Sequence, residues 1–338
     1  MRVLVRGAGI IGLSVADELA RRGHEVTVID PTPGAGASHA AAGMLSPSSE
    51  VWHGEEEILR LGLRSMALWA EYAERLGVAV HRTGTLLVGH DRGDLQQVER
   101  QARLLGTAEL LGNTAVRALE PRLHPRVAGG LLLADDHSVD PRAVVGALRR
   151  RVDVVPDIGA EAFGAEKMVL ATGAHLPQPW SHLVRGVRGE IIRGHCVDPP
   201  TRTVRGWVRG RQVYVVPRTG GGIVIGATSE EHDAPPEVTL GGIHALIEDA
   251  RTLLSGLDRA TFTEAIARDR PASPDHLPLI GRAPGRDDVV LAAGLFRHGV
   301  LLAPLAAQLV ADAVEGAPPD SALDPSRFES SSQEGNPC

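Results

Sequence analysis

Three glycines near the start of the chain have the spacing of a dinucleotide-binding turn. Gly7, Gly9 and Gly12 form a G-x-G-x-x-G pattern after an apolar segment and at the start of a segment with helical periodicity. In such a turn the first glycine allows a tight bend, the second lets a pyrophosphate approach the backbone, and the third lets the helix pack on the sheet. Asp30 ends the next strand and can accept hydrogen bonds from a ribose. The set predicts nucleotide binding; the alternative is a glycine turn that binds no phosphate.

A second feature is a cation within an apolar segment near the end of the chain. Residues 292–305, AAGLFRHGVLLAPL, place Arg297 and His298 between Gly294 and Gly299. A buried strand rarely contains an arginine, and a surface loop rarely contains the Val-Leu-Leu run that follows. The residues alone leave open whether Arg297 meets a ligand or pairs with a carboxylate and only holds the loop.

Apolar periodicity predicts the elements that must position these residues. RVLVRG and EVTVID are predicted strands on either side of a helix, IIGLSVADELARRG. KMVLATGAH and DVVLAAG are predicted to be further buried strands, so the chain is expected to return to the nucleotide-binding fold at least three times, with β-rich insertions between. VRGEIIRGHC, RGWVRGRQVYVVPR and GGIVIGATSEE alternate like strands of an antiparallel sheet.

Other segments complete this outline. We predict helices over 55–76 and 239–258, an apolar helix from Gly299 that contains a proline, and a strand pair in VAVHRTGTLLVGHD. The segment PTPGAGASHAAAGMLSP is rich in Gly, Ala and Ser. Such small residues suit a backbone that lies against a flat ring system.

The composition excludes several classes of protein. The 338 residues are 43% hydrophobic and 23% charged with a net charge of -7, which is typical of a globular protein and disfavours nucleic acid or an anionic membrane as partner. Cys196 and Cys338 form neither a disulfide framework nor a metal site, and no histidine spacing suggests a metal. With no signal peptide and no apolar run long enough to span a membrane, we expect a cytoplasmic protein.

Several segments, in order along almost the whole chain, resemble a known family. They are GAGIIGLSVADELARRGHEVTVID, GASHAAAGML, VYVVPRTGGGIVIGATSEE, RPASPDHLPLIGRAP and FRHGVLLAPLAAQLVADAV. The chain resembles the D-amino acid oxidase-like FAD-dependent oxidoreductases, and within them the glycine oxidases of the thiamine pathway. The resemblance implies FAD rather than NAD, bound without a covalent link, since the setting of His39 fits the attachment motifs poorly.

The resemblance also implies an α/β fold with two domains. A doubly wound, Rossmann-like FAD-binding domain would comprise residues 1–80, 133–184 and 272–325. An α+β substrate domain built on an antiparallel sheet would comprise residues 81–132 and 185–271. Residues 326–338 are predicted to be a disordered tail.

Site residues follow from the resemblance position by position. Arg270, Tyr214 and Arg297 would hold the substrate carboxylate and orient it; a surface arginine paired with Asp269 or Asp275 is the alternative for Arg270. A half-buried sheet tyrosine is the alternative for Tyr214. The residues expected to contact FAD are Gly7, Gly9, Ile10, Ile11, Gly12, Asp30, Pro31, Ala37, Ser38, Ala42, Gly43, Met44, Thr172, Gly173, Gly294, Leu295, Phe296, Arg297, His298, Gly299, Val300 and Leu301.

Two parts of this site depart from the family pattern. The family usually has histidine and an aromatic before the last arginine and asparagine after it, whereas this chain has Leu295, Phe296 and His298. The segment that normally places a valine against the adenine is shortened, and Val155 and Ile158 are both candidates for that contact. We expect any shift in substrate preference to originate around Arg297, beside the helix whose N-terminus would face the flavin.

The implied reaction is oxidative deamination of glycine or another small amino acid. Hydride transfer to flavin N5 gives an imine, O₂ reoxidises the cofactor to give H₂O₂, and water hydrolyses the imine to a keto acid and ammonia. The alternatives are a sarcosine or D-amino acid oxidase, an amine dehydrogenase with another acceptor, and a flavin-binding protein without turnover. A homo-oligomer and transfer of the product to a thiazole synthase are also compatible with the resemblance.

Overall fold

The computed structural model describes residues 1–106, 109–157 and 164–329. The strands are β1 (Arg2–Arg6), β2 (Glu25–Ile29), β3 (Met44–Leu45), β4 (Val80–His81), β5 (Thr85–Gly89), β6 (Leu111–Gly112), β7 (Gly129–Leu133), β8 (His137–Val139), β9 (Val154–Val155), β10 (Lys167–Leu170), β11 (Arg185–His195), β12 (Thr203–Val208), β13 (Arg211–Pro217), β14 (Gly222–Gly226), β15 (Thr261–Ala272), β16 (Leu279–Ala283) and β17 (Arg286–Ala293). The α-helices are α1 (Ile10–Arg21), α2 (Ala37–Ala40), α3 (Glu56–Leu76), α4 (Arg92–Leu105), α5 (Asn113–Leu119), α6 (Pro141–Arg149), α7 (Leu240–Leu253) and α8 (Gly299–Val314).

A six-stranded sheet contains the predicted nucleotide-binding strands. Its order is β16-β17-β10-β1-β2-β9, and all neighbours are parallel except the pair of β16 and β17. Val3, Leu4 and Val5 of β1 have no exposed surface, as expected for a central strand of a parallel sheet covered on both faces. The β1-α1-β2 unit and the two later buried strands are therefore confirmed.

Helices α1, α3 and α8 pack together over this sheet. The apolar face of α3 lies against α8, where Ser65 Oγ and Trp69 Nε1 donate hydrogen bonds of 2.6 and 2.8 Å to the Leu301 carbonyl. Pro304 lies inside α8 and removes one backbone donor from that helix. The bonds from α3 thus fix the first turn of α8, which begins at Gly299.

An eight-stranded sheet has the order β15-β11-β14-β13-β12-β5-β7-β6. Its neighbours are antiparallel except for the parallel pair of β12 and β5, so the antiparallel prediction is confirmed for the central strands. Arg205, Tyr214, Gly226 and Ile191 are directly opposite one another on successive strands and so share one face. Arg270 lies on the same face, because its partner Val187 is four residues along β11 from Ile191, and side chains an even number of residues apart share a face.

Three predictions need correction or comment. The segment 78–91 forms two strands, but β4 pairs with β8 in a three-stranded sheet and β5 joins the eight-stranded sheet, because alternation identifies a strand and not its partner. The helix predicted over 239–258 ends at Leu253. In the predicted tail, Pro325–Phe328 form a 3-10 helix and Arg327 pairs with Asp275 at 2.8 Å, while 330–338 lie outside the described residues. The division into two domains stays a prediction.

Candidate active site

A cavity of about 570 Å³ joins the glycine turn after β1 to one face of the eight-stranded sheet. Most of the predicted site residues line this cavity. They are Gly7, Gly9, Ile10, Ile11, Asp30, Pro31, Ala37, Ser38, Ala42, Gly43, Met44, Thr172, Gly173, Tyr214, Arg270, Leu295, Phe296, Arg297, Gly299 and Val300. Gly12, Gly294, His298 and Leu301 lie behind this lining. The structure therefore brings the predicted nucleotide site and the predicted carboxylate site into one cavity.

The glycine turn has the close backbone approaches that its spacing predicts. Gly7 has a φ of 107°, and a Cβ on it would lie 2.3 Å from the Ala171 carbonyl oxygen. A Cβ on Gly12 would lie 1.9 Å from the Gly7 carbonyl oxygen, so the helix can approach the turn only without a side chain there. The first turn of α1 contains no acidic residue, which leaves its N-terminus open to an anion.

The acid after β2 fixes the shape of this end of the cavity. Asp30 Oδ2 accepts a hydrogen bond of 2.7 Å from the Ala8 N–H, and its Oδ1 accepts one of 2.7 Å from the Thr32 N–H. Ser38 Oγ accepts a bond of 2.9 Å from the Ile10 N–H and so lies directly at the α1 N-terminus. Val155 lies in β9, beside β2, whereas Ile158 is outside the described residues.

The segment of small residues, 37–44, is attached to the eight-stranded sheet by two half-buried arginines. Arg193 Nη2 lies 3.3 Å from the His39 carbonyl and 3.2 Å from the Ala41 carbonyl. Arg218 donates to the Ala42 carbonyl. Burial lowers the pKa of both guanidinium groups, that of Arg218 to about 10, so Arg218 remains cationic near neutral pH. These contacts hold the backbone of residues 39–42 beside the cavity.

Arg270 is a half-buried cation without an anionic partner among the described residues. Its Nη1 and Nη2 each lie 3.2 Å from a backbone carbonyl, of Arg188 and of Thr228 respectively. Asp269 pairs instead with Arg188, and Asp275 with Arg327, so the surface-pair alternative is wrong. Burial lowers the pKa of Arg270, and the Glu50 carboxylate acts in the opposite direction.

Two glycines make room for the side chains at this end of the cavity. A Cβ on Gly189 would lie 2.4 Å from the Arg270 guanidinium, and a Cβ on Gly226 would lie 2.3 Å from Tyr214 Oη. The Tyr214 hydroxyl makes no hydrogen bond to another described residue, although burial raises its pKa and keeps it protonated. Arg270 and Tyr214 therefore offer several hydrogen-bond donors to one anion.

Arg297 lies on a strained loop at the same end of the cavity. It contacts Glu55 at 3.5 Å and lies over the Phe296 ring at 5.1 Å. Phe296 has a φ of 45°, which is costly for a bulky residue, and its N–H donates a 2.7 Å bond to the Pro271 carbonyl. Strain of this kind is concentrated at functional sites. Arg297 therefore pairs with a carboxylate, that of Glu55, and at the same time lines the cavity, where it can meet a ligand.

Sequence reasoning missed a buried polar group that adjoins Tyr214. Arg205 is 4% exposed, and its Nη1 lies 3.2 Å from Glu50 Oε1 while its Nη2 lies 3.1 Å from Gln212 Oε1. Arg205, Glu50 and Gln212 all line the cavity. Strand alternation around Tyr214 could have indicated Gln212, which lies two residues before it on the same face.

Comparison with known proteins places this cavity in a family context. Residues 2–313 match the family described as FAD dependent oxidoreductase. The chain belongs to this family. A Rhizobium etli protein named as a thiamine biosynthesis oxidoreductase, ThiO, is 37% identical over 329 residues, covering 92% of this chain and 95% of the relative. The FAD-dependent oxidoreductase assignment, the α/β fold and FAD as cofactor are thereby confirmed.

Two further relatives add detail. A glycine oxidase of Geobacillus kaustophilus is 30% identical over 352 residues, 93% of this chain and 92% of the relative. The crystal structure of glycine oxidase from Geobacillus kaustophilus superposes with a TM-score of 0.84 at 28% identity, covering 96% of this chain and 98% of that one. A bifunctional protein ThiO/ThiG of Nostoc is 30% identical over 344 residues, but this chain spans only 52% of its length.

The residues present fit FAD. Because Gly7 and Gly12 have no side chain, the backbone forms a close turn that a pyrophosphate can approach. Asp30 lies at the ribose end of the same cavity. The lining residues Ala40, Ala41, Ala42 and Gly43, which run from the end of α2 to the residue before β3, are small and leave room for a flat ring beside the sheet.

The described residues contain neither a candidate membrane-spanning helix nor a candidate metal site. Over 1–106, 109–157 and 164–329, no helix combines the length and apolarity that crossing a bilayer requires. The same residues contain no group of three or more His, Cys, Asp or Glu side chains that could hold a metal ion.

We expect Tyr214→Phe to raise KM for the substrate amino acid about ten-fold and to leave FAD content unchanged, because one neutral donor to the carboxylate is lost. Steady-state kinetics with the FAD-loaded enzyme measures this. Tyr72→Phe is the matched control: Tyr72 shares a 2.5 Å hydrogen bond with Ser14 between α3 and α1, away from the cavity. It should lower stability without changing KM, and an equal KM shift in both variants would contradict the role of Tyr214.

A pH prediction concerns His298, which is buried behind the cavity with its Nδ1 4.0 Å from Glu50 Oε2. Burial lowers the pKa of His298 to about 4, against a usual 6.5, so between these values the unfolded chain binds more protons than the folded one. The free energy of unfolding therefore rises with pH across this window. Between pH 7 and pH 5 His298 is expected to remove about 2 kcal/mol, a loss that His298→Asn lacks.

Denaturant unfolding of both proteins at pH 7 and pH 5 checks this difference. The comparison with the variant is necessary because Asp136, whose pKa burial raises to about 6, favours the folded state at lower pH. Asp136 is present in both proteins, so its contribution cancels. Equal losses in the wild type and in His298→Asn would show that His298 is charged in the folded protein.

Proposed function

We propose that the chain is an FAD-dependent oxidase of glycine or another small amino acid. The observation that carries this proposal is Arg270: a half-buried guanidinium with only backbone carbonyls as partners among the described residues, on the face of the sheet that closes the FAD cavity. Burying a cation is costly unless an anion compensates it, so the site is built for a ligand carboxylate. The relative named as a glycine oxidase supports the same substrate class.

The residues of this chain bind and orient the substrate. FAD, when bound, accepts the hydride from the carbon that carries the substrate nitrogen. Arg270 receives the carboxylate through its planar pair of N–H donors, and the Tyr214 hydroxyl adds a further donor. Arg297 contributes a second positive charge that favours the anion. The fixed strands β13 and β15 hold these donors in place, which orients the substrate carbon before reaction.

The small size of the substrate follows from how this end of the cavity is filled. Tyr214 occupies the space over Gly226, and Arg270 the space over Gly189. Leu295 and Phe296 line the adjoining wall, where the apolar Leu295 offers no hydrogen bond to a polar substrate side chain. We infer that amino acids with no side chain or a short apolar one fit best.

Non-covalent FAD is also part of the proposal. His39 is turned away from the cavity lining: its Nε2 lies 2.9 Å from Arg142 Nη2 and 3.4 Å from Glu264 Oε1. Cys196 belongs to the apolar core between the eight-stranded sheet and α7. Acid precipitation of the purified protein should leave the yellow colour in the supernatant; a yellow pellet would contradict this.

A substrate panel tests the reaction. Glycine, sarcosine, D-alanine, D-proline and L-proline are each supplied to the FAD-loaded protein, and both H₂O₂ release in air and flavin bleaching without oxygen are followed. We expect both signals, strongest with glycine. Bleaching without peroxide would identify a dehydrogenase that uses another acceptor, and strongest activity with sarcosine or a D-amino acid would move the substrate assignment within the same family.

A partner is proposed on separate grounds. In Nostoc the matching region forms about half of a bifunctional protein ThiO/ThiG. We infer that the imine or keto acid product of this chain is passed to a thiazole-forming enzyme. Increased thiazole yield from a mixture of the two proteins with glycine, compared with added glyoxylate and ammonia, would support this transfer.

A further inference from the structure

The Arg270 end of the cavity contains a carboxylate whose purpose is unexplained. Among the described residues that line the cavity, the carboxylates are Asp30 and Glu50. Both oxygens of Asp30 accept backbone hydrogen bonds at the nucleotide end. Glu50 is only 5% exposed and lies among the lining residues that include Arg205 and Tyr214. It is therefore the anion available beside the bound amino acid.

The surroundings of Glu50 fix its position and leave one oxygen available. The Ser48 and Ser49 N–H groups, just before it, donate to the Asp136 carboxyl at 3.4 and 3.2 Å. Arg205 Nη1 lies 3.2 Å from Glu50 Oε1. Glu50 Oε2 makes no hydrogen bond to another described residue, and His298 Nδ1 lies 4.0 Å from it.

The charges at this end of the cavity match those of a zwitterion. Arg270 and Arg297 are cations that attract a carboxylate, whereas Glu50 is an anion whose charge also acts on Arg270 and Tyr214. A carboxylate that only neutralised Arg205 could lie in the protein interior, with no access to the cavity. An amino acid brings an ammonium group together with its carboxylate, and a buried ammonium needs an oxygen acceptor.

We propose that Glu50 Oε2 receives the substrate amino group while Arg270 and Tyr214 receive its carboxylate, and that Arg205 is a positioning residue that holds Glu50. This inference rests on the proposed function. It deepens that function by explaining why the site selects amino acids over simple carboxylic acids. Recognition at both ends aligns the carbon between the amino and carboxylate groups.

The test compares a ligand with both groups to a ligand with the carboxylate alone. Glycine and acetate are titrated into FAD-loaded Glu50→Gln and wild type, with KM measured for glycine and Kd for acetate from the shift in flavin absorbance. We expect the glycine KM to rise about 10-fold or more, since a charge-assisted hydrogen bond is lost. The acetate Kd should change by less than about 3-fold, because acetate does not reach Glu50.

Two further variants keep the test decisive. Glu18→Gln is the matched control, because Glu18 is a buried carboxylate paired with Arg21 and Arg22 away from the cavity. It should change neither glycine KM nor acetate Kd. If Glu50→Gln does not fold because Arg205 is left unpaired, Glu50→Gln combined with Arg205→Met removes both charges and carries the same comparison.

The outcomes separate this inference from the proposed function. An active wild type with an unchanged glycine KM in Glu50→Gln overturns the role of Glu50 alone. Equal weakening of glycine and acetate assigns Glu50 a purely structural role and also overturns the proposal. A wild type in which no amino acid reduces the flavin overturns the proposed function together with this inference.

Discussion

Arg270→Met is expected to lower kcat/KM for glycine about 1,000-fold while the protein still folds and binds FAD. The guanidinium supplies two charge-assisted hydrogen bonds to the substrate carboxylate, and an uncharged methionine of similar length supplies none. Folding should not suffer, because Arg270 has no anionic partner among the described residues and makes two 3.2 Å contacts with backbone carbonyls. Removing a half-buried cation that has no ion-pair partner among those residues relieves a desolvation cost.

Steady-state kinetics and a thermal melt of the FAD-loaded variant check both parts of this expectation. Arg211→Met is the matched control, since Arg211 pairs with Asp249 at 2.6 Å on the half-exposed side of β13 and does not line the cavity. The control should retain its kcat/KM. Activity within a few-fold of wild type in Arg270→Met would show that the carboxylate binds elsewhere.

Gly12→Ala is expected to abolish FAD binding and to lower the free energy of unfolding by about 3 kcal/mol. The new Cβ would lie 1.9 Å from the Gly7 carbonyl oxygen and 3.2 Å from the Ala171 Cβ, so α1 must move away from the turn. That movement separates the α1 N-terminus from the place where the pyrophosphate binds. FAD content after purification and a denaturant titration measure the two effects.

Gly146→Ala in α6 is the control for this substitution. A Cβ on Gly146 would have Arg150 Nη1, at 3.8 Å, as its nearest neighbour, which is ordinary contact with a flexible side chain. Alanine inside a helix should raise stability by about 0.5 kcal/mol and leave FAD content unchanged. If Gly12→Ala purified with full FAD, the close approach of α1 to the turn would not be needed for binding.

The nucleotide half of the site could be predicted because its signals are local. Gly7, Gly9, Gly12 and Asp30 lie within one β-α-β unit, where strand, turn and helix follow each other directly in the sequence. The distances between them are set by that unit alone. The resemblance to a family then supplied Arg270, Tyr214 and Arg297, whose isolated sequence surroundings are equally typical of surface residues.

The residues that were missed depend on contacts between distant segments. Glu50 lies in a stretch without periodicity, and it meets Arg205 only because the segment before α3 packs against β12. Gly189 makes room for the Arg270 side chain through the pairing of β11 with β15, and no local pattern distinguishes it from other strand glycines.

The loop at Phe296 could not be predicted for a different reason. A bulky residue avoids a φ of 45°, so local preference points to another conformation. Tertiary contacts override that preference: the Phe296 N–H bonds to the Pro271 carbonyl, and its ring stacks on His276 at 4.5 Å. The position of Arg297 beside the cavity therefore depends on contacts that the sequence does not display.

The proposed oxidation of a small amino acid by bound FAD can be tested directly by anaerobic mixing of the FAD-loaded wild type with glycine. The visible absorbance of the flavin is followed. We expect glycine, or another small amino acid of the panel, to bleach the flavin, and air to restore the colour with release of H₂O₂. If none of these amino acids bleaches the flavin while a chemical reductant does, the cavity binds FAD without oxidising amino acids. The proposed oxidase function would then be wrong.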